Sequence, residues 1–203
     1  MNKKILISTG GSGGHVIPAT IIYKHLENSF DVSMTSDLRG VKFLNKDEYN
    51  LKIFNVRPIS KNLLTLLFDF LSMIVLILKS IIFLRKNKIN ILISTGGYMS
   101  LPLCLGAKIL NIKLLLFEPN MVLGRSNKLF ISYCQKIFCY SNNIKKFPIK
   151  FKNKIKVIPA LLRKIFYDKK DNNNSLDKIN LLIIGGSQGA KIFDDLVKNT
   201  IIK

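Results

Sequence analysis

The sequence predicts an α/β protein built on a Rossmann-like parallel sheet with helices on both faces. Three observations carry this. Short apolar runs recur along the chain, and segments long enough for helices separate most of them. The stretch ILISTGG occurs twice, at 5–11 and 91–97, each time with paired glycines at the end of a predicted strand. Runs that are apolar on both faces belong to strands covered from both sides, as in parallel sheets.

The first strand is Ile5–Ser8, leading through the loop GGSGGH into a helix over Val16–Glu27. Strands follow at Asp31–Met34 and Leu51–Val56. A long apolar segment, 62–88, predicts a helix over Asn62–Leu84 and delivers the chain to a strand at Ile89–Ile93. Beyond the second glycine loop come a helix over Leu101–Leu110, a strand at Lys113–Phe117, a helix over Val122–Ser132, and strands at Lys136–Tyr140 and Ile155–Ile158. The polar cluster in KIFYDKKDNNNSLDK, 164–178, reads as an exposed linker. After it come one strand, Ile179–Ile184, the glycine loop GGSQGA and one helix. A stretch that short cannot close a core, since domains below roughly 40 residues need extra staples. The expected organisation is a domain over 1–163, a linker over 164–178 and the start of an incomplete second domain over 179–203.

The 203 residues carry 32 Lys and Arg against 12 Asp and Glu, a net charge of +20. Such an excess suits an anionic partner, although the Ile, Asn and Lys bias of an AT-rich genome produces the same balance. No groove-reading motif or aromatic stacking signature accompanies the charge, so nucleic acid is the least favoured partner. Cys104, Cys134 and Cys139 form no CxxC or Cys/His cluster, so no metal site or disulfide framework is expected and a reducing cytoplasm fits. The apolar stretch in MNKKILIST is too short for a signal peptide. A membrane-spanning helix wants about 20 apolar residues, and 62–88 is interrupted by Thr65, Asp69, Ser72, Lys79 and Ser80. It reads as a crossover helix whose spare apolar face dips into lipid headgroups, with Lys61, Lys79, Arg85, Lys86 and Lys88 favouring an anionic membrane surface. A wholly buried helix is the alternative.

Glycines after a strand let backbone N–H groups approach a ligand closely, and a helix N-terminus adds about half a positive charge. That combination suits a diphosphate. In an open α/β sheet such loops face one crevice beyond the carboxyl ends of the strands. The first loop lacks the Gly-Lys-Ser/Thr of a P-loop, and Val16 stands where a dinucleotide fingerprint has its third glycine. A nucleotide or NAD reading built on Gly11, Gly13 and Asp37 stays open as a minority option. His15 directly follows the glycines, where a neutral imidazole could take a proton as general base or donate to a loop carbonyl.

The motifs GGSGGHVIPA (10–19), STGGYMSLP (94–102), FEPNMVLGRSNK (117–128), the Arg163 that closes VIPALLR, and GGSQGA (185–190) together resemble the MurG family of peptidoglycan N-acetylglucosaminyltransferases. The resemblance implies the N-terminal domain of a GT-B fold. It also implies inverting transfer from UDP-N-acetylglucosamine to lipid I at the cytoplasmic face of the inner membrane, with no cofactor and no essential metal. Ser12, Gly13, Gly14, Asn120, Arg163 and Ser187 match donor-binding positions. Gly10, Gly11, Gly13, Gly14, Gly96, Gly97, Tyr98 and Gln188 match the cradle of the acceptor diphosphate. His15 matches the candidate base, with Glu118 as a competing base or a structural carboxylate. The chain departs from the family in Pro159-Ala160-Leu161-Leu162 before Arg163 and in Pro119 between Glu118 and Asn120. With the second domain incomplete, a non-catalytic module that only holds a lipid diphosphate is the competing reading.

Overall fold

The computed structural model describes residues 3–56 and 63–163, with only the backbone course of 63–67. The predicted linker and the strand, loop and helix after it lie outside the described residues. Seven strands, all parallel, form one sheet: β1 (Lys4–Ser8), β2 (Asp31–Ser36), β3 (Leu51–Ile53), β4 (Ile91–Ser94), β5 (Lys113–Glu118), β6 (Lys136–Cys139) and β7 (Ile155–Val157). Their spatial order is β3-β2-β1-β4-β5-β6-β7. The order reverses direction between β1 and β4, which makes their carboxyl ends the topological switch point where α/β sheets collect ligands.

The two ILIS segments are these two strands. They lie side by side in matched register, with Ile5 opposite Ile91, Leu6 opposite Leu92, Ile7 opposite Ile93 and Ser8 opposite Ser94. Alternation along each strand then divides the core. Ile5, Ile7 and Ile93 join Ala19 and Tyr23 of α1 (Gly13–Leu26) on one face. Leu6 and Leu92 join Leu84, Leu103 and Ala107 on the other. Those partners come from α3 (Leu63–Lys86) and α4 (Leu101–Ile109). A period of two feeding two different helix layers is what a doubly wound sheet requires.

Two helix boundaries differ from expectation, and each has a local cause. Helix α1 starts at Gly13 rather than Val16, because Ser12 is extended and its carbonyl already accepts from the N–H groups of His15 and Val16. The expected helix over 122–132 shrinks to α5 (Arg125–Phe130). Residues 119–124 are instead a loop wrapped around the Glu118 carboxylate. A short helix absent from the sequence reading, α2 (Leu38–Val41), is N-capped by Asp37.

Helix α3 has two distinct faces. Met73, Leu76 and Phe83 pack inward against Phe54, Val56 and Met99, while Ser80 and Leu84 are fully buried. Its contact with α4 runs over Gly106, where an added Cβ would stand 3.2 Å from Leu84 Cδ1 and 3.4 Å from the Ile81 nitrogen. The bare glycine sets how closely the two helices approach. Gly106→Leu gains under about 1 kcal/mol of helix propensity against about 1–3 kcal/mol of overpacking. The substitution is therefore expected to lower the urea midpoint of the chain, measured by circular dichroism.

Candidate functional site

The matched register carries both glycine loops to one edge of the sheet. Beyond the last paired serines the threonines join as well: Thr95 Oγ1 donates to Thr9 Oγ1 at 2.8 Å, and the Thr95 N–H to the Ser8 carbonyl at 3.1 Å. Gly96 and Gly97 then adopt φ of 89° and 84°, a left-handed course that only glycine takes without strain. Gly10 is needed for a different reason. A Cβ there would fall 2.6 Å from Met99 Cγ and 2.7 Å from Asp37 Oδ1. Met99, buried at the start of the α4 segment, thus props the first loop from below, and the two loops meet where Gly97 faces the Gly10 carbonyl.

Gly13, Gly14 and His15 form the first turn of α1, so the N–H groups at 13 and 14 have no carbonyl one turn back to bond. Gly14 is exposed and Ser12 half-buried. The His15 ring lies across the second loop: Cε1 comes within 3.3 Å of the place a Gly96 Cβ would occupy, and Nε2 within 4.0 Å of the equivalent point at Gly97. Its Nδ1 is 2.8 Å from the Thr95 carbonyl oxygen. A carbonyl can only accept, so Nδ1 carries the hydrogen and the Nε2 of a neutral ring keeps its lone pair. Helix position, tautomer and loop contact together place the Nε2 lone pair of a neutral His15 beside the second glycine loop.

Both acidic candidates are spent inside the chain. Asp37 Oδ1 accepts from the N–H groups of Gly11 and Gly40, each at 2.8 Å, and Oδ2 accepts from Arg39 Nε and Nη2, each at 2.8 Å. Burial pushes this carboxyl up, but the two N–H donors and the guanidinium outweigh it and hold it below its ordinary value. The ribose-binding role considered for Asp37 in a dinucleotide site is corrected accordingly: its oxygens are taken by Gly11, Gly40 and Arg39. Glu118 is 1% exposed. It takes four donors: Asn120 N at 3.2 Å, Asn120 Nδ2 at 3.0 Å, Gly124 N at 2.8 Å and Asn127 Nδ2 at 3.0 Å. A carboxylate offers about four lone-pair sites. Saturated in this way, Glu118 is a bracket for the 119–127 loop, which corrects its candidacy as a base and sides with the structural alternative.

That bracket orients Asn120, which is exposed with both its nitrogens turned back to Glu118. Tyr98 opens a short 3-10 turn, 98–100, that joins the second loop to α4. Ser100 closes this turn by donating to the Gly97 carbonyl at 2.8 Å, and its hydroxyl lies 3.0 Å from that of Ser126. Arg163 is exposed at the end of the described segment. Ser187 and Gln188 lie outside the described residues. The sequence reading did not single out Thr9, Thr95 or Asn127. The repeated Ser-Thr before each glycine pair was the available sign for the threonines, and Asn127 sat unremarked in FEPNMVLGRSNK. Burial pushes the Cys104 and Cys139 thiols up to about 12, with the Glu118 carboxylate contributing to the rise at Cys139.

The glycosyltransferase family 28 N-terminal domain matches residues 5–139, from β1 through β6. The chain belongs to glycosyltransferase family 28. Over all 203 residues it is 87% identical to the UDP-N-acetylglucosamine--N-acetylmuramyl-(pentapeptide) pyrophosphoryl-undecaprenol N-acetylglucosamine transferase of Pelagibacter ubique (strain HTCC1062), covering 57% of that protein. The protein of the same name from Rickettsia canadensis (strain McKiel) is 32% identical over 98% of the chain, which spans 56% of it. The crystal structure of Acinetobacter baumannii MurG superposes with a TM-score of 0.72 at 24% identity, over 95% of this chain and 55% of that one. The MurG resemblance and the expected fold are borne out, and the chain spans a little over half the length of the curated relatives it matches.

Asp37 generates a prediction about the first loop. Its folded value lies below the unfolded one, so its contribution to stability is complete above about pH 4 and is lost as pH falls through the folded value. Asp37→Asn is expected to lower stability at pH 7 and to flatten the acid limb of the stability profile. Urea titrations at a series of pH values measure both.

Proposed function

We propose that the chain is the acceptor-side part of an inverting N-acetylglucosaminyltransferase. The donor is UDP-N-acetylglucosamine and the acceptor is the 4-hydroxyl of undecaprenyl-diphosphate-linked N-acetylmuramoyl-pentapeptide. The observation that carries this is His15: its Nδ1–H is committed to Thr95, and its Nε2 stands free beside two glycine loops whose amides suit a diphosphate. The names of the relatives supply the sugar and the lipid.

In this mechanism the diphosphate of the acceptor rests on Gly10, Gly11, Gly13, Gly14, Gly96 and Gly97, with Tyr98 beside them. His15 Nε2 removes the proton of the 4-hydroxyl while that oxygen attacks the anomeric carbon and the bond to UDP breaks, so one displacement inverts the centre. The donor is contacted by Ser12, Gly13, Gly14, Asn120 and Arg163. The α1 N-terminus favours the negative charge that develops nearby. Because the chain covers 57% of the Pelagibacter protein, a module that holds a lipid diphosphate without turnover is the second reading.

The chain joined to the remaining C-terminal part of the Pelagibacter relative tests the assignment. Transfer of labelled N-acetylglucosamine to lipid I is expected, and His15→Ala is expected to lower kcat by about 10²–10⁴-fold, the range of general-base catalysis. Unchanged kcat would remove His15 from the mechanism. Lipid I binding by the 203-residue chain without transfer would favour the module for the chain alone.

The outer face of α3 supports peripheral attachment to the cytoplasmic face of the inner membrane. Phe68 (72% exposed), Leu71, Val75, Leu78 and Ile82 (65% exposed) recur at helical spacing along one stripe, with Lys79, Arg85 and Lys86 towards its end. No helix among the described residues is long and apolar enough to cross a membrane. Leu78→Glu combined with Ile82→Glu is expected to abolish co-sedimentation with vesicles containing anionic lipid. Added salt is expected to weaken the wild-type interaction only partly, since apolar burial is not screened.

A further inference from the structure

Asn127 lies in the first turns of α5 and is 2% exposed. Its Nδ2 spends both hydrogens inward, on the Phe117 carbonyl at 3.1 Å and on Glu118 Oε2 at 3.0 Å. Both partners only accept, so the amide cannot be flipped: nitrogen faces the end of β5 and oxygen faces away. That oxygen, Oδ1, is buried without a hydrogen-bond partner. An orphaned buried acceptor is destabilising.

The same nitrogen borders the second glycine loop. A Cβ on Gly96 would meet Asn127 Nδ2 at 3.4 Å, and the same point would meet His15 Cε1 at 3.3 Å and Nδ1 at 3.5 Å. The asparagine amide and the imidazole thus both border the space that a side chain at Gly96 would fill. One residue earlier is Thr95, whose carbonyl holds the His15 Nδ1–H. Displacing Gly96 towards β5 would draw this carbonyl away from the ring.

We propose that Asn127 is a positioning residue for His15. Pinned by Glu118 and the Phe117 carbonyl, it is the wall that keeps the Gly96 turn, and with it the Thr95 carbonyl, where the Nδ1–H tautomer is selected. The chemical importance of that tautomer rests on the reading of His15 as the base; the coupling of the two side chains does not.

The chain has two histidines, His15 and His25, so its imidazole nitrogen spectrum is simple to assign. In the 203-residue protein, nitrogen-15 NMR is expected to show His15 as the Nδ1–H tautomer. Asn127→Ala is expected to abolish that signature in favour of the Nε2–H form that free imidazole prefers, with His25 unmoved. Asn127→Asp, close in shape but without the two donated hydrogens, is expected to behave like the alanine variant. Should either variant fail to fold, the reciprocal measurement decides: His15→Ala, at a half-buried position, is expected to shift the side-chain amide signals of Asn127. A His15 that keeps its Nδ1–H signature in a folded Asn127 variant, or Asn127 amide signals unmoved by His15→Ala, would overturn the proposal. Neither readout needs turnover. Coupling seen in a chain whose completed form transfers no sugar would remove the base assignment and leave the positioning role standing.

Discussion

The matched register between β1 and β4 is the constraint on which the rest of the site depends. Ser8 opposite Ser94 ends the paired strands, and the hydrogen bond between Thr9 and Thr95 extends the match by one residue beyond the last ladder pair. Because the side-chain period of a strand is two, a one-residue slip of β4 against β1 would turn Leu92 to the α1 face and put the two glycine pairs out of step. It would also move the Thr95 carbonyl out of reach of His15, whose ring crosses from the first loop to the second. Core packing and tautomer are thereby set by one alignment. The repeated heptapeptide is the sequence form of that alignment: two adjacent strands with the same burial and the same exit geometry need the same residues.

A cradle suited to anions sits among carboxylates, which would repel a diphosphate if they faced it. Asp37 and Glu118 resolve this in the same way, each accepting four hydrogen bonds from its own neighbourhood. Their charges stiffen the loops, and their lone pairs are taken by the chain's own donors. Charge-assisted bonds to backbone N–H groups are about twice as strong as neutral ones, and both brackets hold glycines, Gly11 and Gly40 in one and Gly124 in the other. Each glycine loop or its neighbour is therefore tied at a point where the backbone has least intrinsic preference. The surplus of basic residues, +20 overall, adds a field of the sign such a cradle needs.

Much of this was legible in the sequence because it depends on local pattern. Strand positions followed from short apolar runs, the switch-point crevice from two glycine pairs, and His15 from its place after the first pair. What was hidden depends on contacts between segments far apart in the chain. Asp37 looked like a ribose ligand since its spacing from the glycines was right; only the fold shows that its oxygens turn back to Gly11. Glu118 read equally well as base or bracket until the donors of Asn120, Gly124 and Asn127 were in place. The helix expected over 122–132 failed for the same reason, as a saturated carboxylate competes with helical bonding for the Gly124 N–H. Periodicity reports burial, and it is silent about which buried polar groups will find each other.

The course of α3 connects the membrane reading to the site. The helix leaves the carboxyl edge of β3 and returns to the amino edge of β4, so its first half lies on the same side of the sheet as the glycine loops. There Met73 and Leu76 share a cluster with Met99 and Tyr98, the residues directly after Gly97. The inner face of α3 is thus packed against the segment that shapes the second loop, while its outer face carries the apolar stripe from Phe68 to Ile82. On the proposed function, a lipid-linked substrate enters with its diphosphate at headgroup depth and its chain in the bilayer. A helix that buries one face in lipid and braces the cradle with the other places that diphosphate near the glycine amides without lifting the lipid out of the membrane. The cost of extraction, about 0.8 kcal/mol per CH₂ exposed, is then never incurred.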